Sequence, residues 1–131
     1  IFARHADRVR GANVAQMINV LQAMILTDKE KMVLTPTYHA FRMYVPFQDS
    51  VRLSTQYDAG VYKEGNIRLP RIDAISARDD QGRIWLAVTN IDPKQSVDID
   101  LSLLGKSIAK AEGEILQAPA IDSVNSFAKP D

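Results

Sequence analysis

The chain has 131 residues, enough for one ordinary domain that buries roughly two thirds of its unfolded surface. Its 16 Lys and Arg balance 16 Asp and Glu with no basic cluster, so the electrostatic footprint of a nucleic-acid binder is missing. Having no cysteine, it can hold neither a disulfide framework nor thiolate chemistry.

The chain opens Ile1-Phe2-Ala3-Arg4 without an initiator Met or an apolar leader, and it stops at Lys129-Pro130-Asp131 without a helix cap or a polar tail. It therefore reads as part of a longer protein. Good helix formers run from Arg4 to Met17, with Val9, Ala12 or Asn13, Gln16 and Met17 recurring at helical spacing. They predict a helix that Gly11 weakens by ~1 kcal/mol and that propensity alone would let continue to Leu26. The apolar run Ala12 to Leu26 is too short to span a membrane core of ~30 Å and is interrupted by Asn13, Gln16, Asn19 and Gln22. No membrane partner is expected; the run must be buried in protein, as a wrapped helix or as a strand covered on both faces.

Thr27-Asp28-Lys29-Glu30-Lys31 reads as a solvated charged loop. Thr35 is an N-cap candidate ahead of Pro36 at the first helical position, which predicts a helix from Pro36 to Tyr44. Tyr38, Phe41 and Val45, with Ala40 and Tyr44 beside them, give it an apolar stripe. Val45 to Ser50 breaks the helical pattern with proline and turn formers, and the domain boundary is placed there, between residues 1–47 and 48–131. Beyond it the period drops to that of strands: Val51 to Tyr57, an edge segment Val61 to Lys63, and a hairpin of Arg71 to Arg78 with Arg83 to Ile91. Gly82 closes the hairpin loop Asp79-Asp80-Gln81-Gly82, supplying the positive φ of a type I turn with a bulge. Ile84, Leu86 and Val88 are expected to face the core, with Trp85, Ala87 and Thr89 opposite. After the Asp92-Pro93 turn, Val97, Ile99 and Leu101 alternate with Asp98, Asp100 and Ser102 as in a strand with one wet face. Ser107 to Gln117 reads as a further strand pair or one bent strand, and periodicity is lost from Asp122. Many short strands separated by turns predict a mainly β protein with an antiparallel β-sandwich.

Several strings carry a resemblance. ANVAQMINVLQAM, Ala12 to Met24, is followed by LTPTYHAFRMY, Leu34 to Tyr44. Further on stand Gly65-Asn66-Ile67-Arg68-Leu69-Pro70, Val88-Thr89-Asn90-Ile91-Asp92-Pro93, and Ala118-Pro119 ahead of Asn125-Ser126-Phe127. Together they resemble the α-L-arabinofuranosidases of glycoside hydrolase family 51, from the end of the catalytic (β/α)8 barrel through the C-terminal β-domain. The resemblance implies a jelly-roll-like β-sandwich preceded by a helix-strand-helix remnant of the barrel. On this view the first helix ends near Met17 or Ile18 and Asn19 to Ile25 form the last barrel strand. It implies a retaining hydrolase whose catalytic carboxylates lie upstream of Ile1, so that none is in this chain and the chain alone is inactive. It also implies that Gln16 hydrogen-bonds a sugar hydroxyl, that the full-length protein acts on arabinan or arabinoxylan and needs no cofactor, and that it forms a homo-oligomer.

Glycoside hydrolysis requires two carboxyl groups, about 5 Å apart in the retaining mechanism. Asp28 and Glu30 fall in a charged loop, Asp79 and Asp80 in a hairpin turn, and Asp98 and Asp100 on a wet strand face. None has the apolar setting that raises an acid's pKa, and the last pair lacks the further ligands of a cation site. His5 and His39 have no Cys partners and no HExxH pattern, so both read as structural histidines and no metal site is expected. An amide donates and accepts, which suits Gln16 either to a sugar hydroxyl or to capping backbone groups in a core. A different function class stays open: Trp85, Tyr57 and Tyr62 would let the β-sandwich serve as a carbohydrate-binding or interaction module.

Overall fold

The computed structural model describes residues 2–130; the chain ends at Ile1 and Asp131, read above as cuts in a longer protein, lie outside the described residues. Every named sheet is antiparallel. A single-turn 3-10 helix, Phe2–His5, opens the chain, and β1 (Ile25–Asp28) pairs with β2 (Lys31–Leu34). The helix α1 (Pro36–Tyr44) follows and runs into a second 3-10 turn, Val45–Phe47. The strands β3 (Val51–Leu53), β6 (Ile72–Arg78) and β7 (Ile84–Asn90) form one sheet with β6 in the centre, while β4 (Val61–Glu64) and β5 (Ile67–Pro70) form a separate hairpin. The molecule is thus mainly β and antiparallel, as the sequence implies.

The main core is β6. Ile72, Ala74, Ile75, Ser76 and Ala77 are all buried, because a central strand bordered on both sides can carry small and branched residues on both faces. Ser76, the polar member, is satisfied by the Thr55 hydroxyl at 2.7 Å. A smaller core forms around Ala23 and Val33 near the β1–β2 hairpin.

Local structure departs from expectation in five places. The helix expected from Arg4 to Met17 is only the 3-10 turn at its start, and residues 9–17 are irregular. Asn19 to Ile25 is not an extended strand: Asn19 at φ 54 and Gln22 at φ 61 turn the chain back on itself, leaving one parallel bridge, Ile18 to Ile25. The charged segment Thr27 to Lys31 is a tight hairpin rather than a loop, with Asp28 paired to Lys31 and Lys29 at φ 55 in the turn. On β7 the burial is inverted: Ile84, Leu86 and Val88 are 40%, 38% and 37% exposed, while Trp85 and Ala87 are half-buried. Being the outer strand, β7 has a neighbour on one flank only, and the residues facing Leu86 and Val88 across the ladder are the small Ser76 and Ala74. Finally, Val97 to Ser102 and Ser107 to Gln117 form no strand, only a bridge from Leu103 to Lys106. Alternation offers a face, but a strand also needs an edge to pair with.

Candidate functional site

Gln16 is exposed on irregular backbone and is therefore not core-facing. It stands one residue ahead of a compact knot. The Met17 carbonyl accepts the Met24 and Ile25 N–H groups at 3.0 and 3.1 Å, and Asn19 N–H donates to the Ile25 carbonyl at 3.1 Å. The knot is tied to the next element by Thr35, whose N–H donates to the Met24 carbonyl at 3.0 Å and whose hydroxyl donates to the Ala23 carbonyl at 2.7 Å. Thr35 occupies the N-cap position of α1 without capping it through its side chain; the hydroxyl serves the knot instead. Pro36 at the helix start removes one N–H that would otherwise need a cap.

A second polar cluster sits at the tip of the β6–β7 hairpin. The Asp79 carboxylate accepts the Trp85 indole N–H at 3.0 Å, Arg83 Nε at 2.7 Å, and the backbone N–H groups of Gln81 and Arg83 at 3.0 and 2.9 Å. The indole bond, aided by Arg83 against the opposing effect of burial, holds the acid at about 2. Asp79 therefore stays ionised at neutral pH and clamps the hairpin. A shallow groove of about 420 Å³ beside it is lined by Asp49, Val51, Arg78, Asp79, Asp80 and Gly82. Gly82 lies at φ 80, the left-handed conformation the turn requires.

The other acids are separate. Asp28 ends β1, Glu30 lies in the hairpin turn, and Asp98 and Asp100 are exposed on irregular backbone. Among the described residues no three of His, Asp or Glu are grouped so as to hold a metal ion. His5 accepts a hydrogen bond from the Arg8 guanidinium at 3.2 Å, and His39 meets the Tyr38 ring edge-on at 5.4 Å. Of the rings considered for sugar binding, Trp85 is half-buried with the Arg83 guanidinium 5.4 Å over it. The Tyr57 hydroxyl accepts the Ala74 N–H at 3.2 Å, and the Tyr62 hydroxyl donates to Glu64 at 3.2 Å. Each ring serves its own neighbourhood, which does not favour a sugar-binding platform. Sequence reasoning assigned no role to the Asp79 clamp or to the bonds of Asn19; an Asp at the first position of a hairpin turn was the available signal for the former.

The family model described as the α-L-arabinofuranosidase C-terminal domain matches residues 1–131. The chain belongs to this family. An intracellular exo-α-L-arabinofuranosidase of Bacteroides ovatus is 37% identical over 132 residues, covering 100% of this chain and 26% of that protein. The crystal structure of the GH51 arabinofuranosidase from Xanthomonas axonopodis pv. citri superposes with a TM-score of 0.76 at 39% identity, over 98% of this chain and 26% of that one. The arabinofuranosidase C-terminal domain described here thus spans about a quarter of the length of these relatives, and it carries the C-terminal part of a GH51 enzyme.

Proposed function

We propose that this chain is the C-terminal portion of a retaining, exo-acting α-L-arabinofuranosidase that releases terminal α-L-arabinofuranosyl residues from arabinan or arabinoxylan. The end-to-end similarity to an exo-α-L-arabinofuranosidase, 37% identity over 100% of the chain, carries the reading. Within it, Gln16 binds a sugar hydroxyl through its exposed amide, and the pair of catalytic carboxylates belongs to the upstream part of the enzyme. The chain by itself does not hydrolyse glycosides. Glu64, Asp79 and Glu114 each have a lowered carboxyl pKa, the opposite direction from that of a general acid. The full-length protein is a homo-oligomer in this reading.

The test is to incubate the full-length protein with arabinan and with arabinoxylan and to follow free arabinose and its first-formed anomer by NMR. Release of arabinose with retained α configuration is expected. A protein that frees no arabinose from either polymer, or that gives the inverted sugar first, contradicts the assignment.

A further inference from the structure

A short parallel ladder begins at Met17, and a side chain continues it where the backbone cannot. Ile25 N–H donates to the Met17 carbonyl and Asn19 N–H donates to the Ile25 carbonyl, both at 3.1 Å, which makes Ile18 and Ile25 parallel partners. The next rung of such a ladder would run from Thr27 N–H to the carbonyl of Asn19. Asn19, however, lies at φ 54 and the chain turns away there. Its amide takes over the rung: Thr27 N–H donates to Asn19 Oδ1 at 2.8 Å, while Asn19 Nδ2 donates to Thr27 Oγ1 at 2.9 Å. The position makes two demands, a left-handed backbone and a planar group offering one acceptor and one donor, and asparagine meets both. Asn19 and Thr27 are both exposed, so this lock removes little apolar surface from water; what it fixes is the course of the backbone between Met17 and Thr27.

We infer that Asn19, with Thr27 as its partner, is a positioning residue for the sugar contact made by Gln16. The inference rests on the role proposed for Gln16 above. Gln16 is one peptide, ~3.8 Å between Cα atoms, from Met17, whose carbonyl is the first acceptor of the ladder. The Gln16–Met17 peptide leads directly into that carbonyl, so the ladder that Asn19 and Thr27 extend fixes the backbone just after Gln16 and with it the place from which the Gln16 amide projects.

The experiment is a double-mutant cycle in the full-length enzyme on an aryl α-L-arabinofuranoside, with melting temperature as a folding control. Asn19→Gly keeps the left-handed backbone without strain and removes only the amide, and it should lower kcat/KM about tenfold, the scale of one lost hydrogen bond. Gln16→Ala should lower it at least as much, and the double variant should be no worse than Gln16→Ala alone. Asn19→Asp retains the acceptor for Thr27 N–H and should recover most of the loss. Thr27→Val removes the hydroxyl half of the lock and carries the same cycle should Asn19→Gly fail to fold. If Gln16→Ala impairs turnover while Asn19→Gly is silent, or if the two losses multiply, the positioning role is overturned and the Gln16 contact stands. A silent Gln16→Ala overturns both.

Discussion

Asp79 concentrates more polar bonding than any other side chain described above. One carboxylate receives the indole of Trp85, the guanidinium of Arg83 and two backbone N–H groups, so the hairpin loop is built around a charge. Its pKa falls from the ordinary 3.8 to about 2, chiefly through the Trp85 bond. A depressed folded-state pKa means that the stabilisation is fully present above pH 3.8 and is lost as the pH falls toward 2. Asp79→Asn should lower the melting temperature at neutral pH by a few degrees and should remove this part of the acid sensitivity. Trp85 is the chain's single tryptophan, so its fluorescence reports the melt directly. Equal melting temperatures for both chains, followed down from pH 7, would show that the clamp contributes nothing.

Among the elements, those fixed by local chemistry were legible in the sequence. Proline at the start of α1 and the Asp79-to-Gly82 turn between β6 and β7 each name a backbone geometry through a residue that tolerates little else. Asn19, Gln22 and Lys29 occupy left-handed backbone without glycine, so the knot and the tight β1–β2 hairpin left no such mark. Burial was harder to read, because which face of β7 is covered depends on what packs against it and not on its own alternation. The apolar stripe of α1 shows the same limit: Phe41 and Tyr44 are 48% and 43% exposed, although Tyr44 leans on Phe47 at 5.4 Å between ring centroids. Thr35 links the two kinds of element, with its backbone at the start of α1 and its hydroxyl on the Ala23 carbonyl. Thr35→Val should cost about 1 kcal/mol, the worth of a hydrogen bond to a part-buried carbonyl, while Thr35→Ser should cost a few tenths. Urea denaturation of both variants checks this, and equal losses would assign the role to the methyl group.

At the scale of the whole molecule, residues 1–47 expose Met17, Ile18, Leu21 and Met32, and covering each such side chain is worth ~1.5–3 kcal/mol. In the proposed reading the rest of the catalytic barrel covers them. Polar ties from this part to the rest of the chain lie on partly exposed side chains: Arg4 to Asp73, Arg52 to the Arg4 carbonyl, and Arg42 to Glu114. Such pairs contribute little to stability. A shortened chain beginning at Gln48 should therefore keep the Trp85 melting transition and scatter light as a smaller species than residues 1–131; loss of that transition would make the segment before Gln48 part of the β-domain core. The enzyme as a whole divides its labour in this account, with catalytic acids upstream and a sugar contact plus a β-domain in the present chain. The most direct measurement is the initial rate of hydrolysis of an aryl α-L-arabinofuranoside by residues 1–131 and by the full-length protein, side by side. The account predicts turnover by the full-length protein and none by residues 1–131, and it is contradicted by turnover from residues 1–131 or by a full-length protein that does not hydrolyse the substrate.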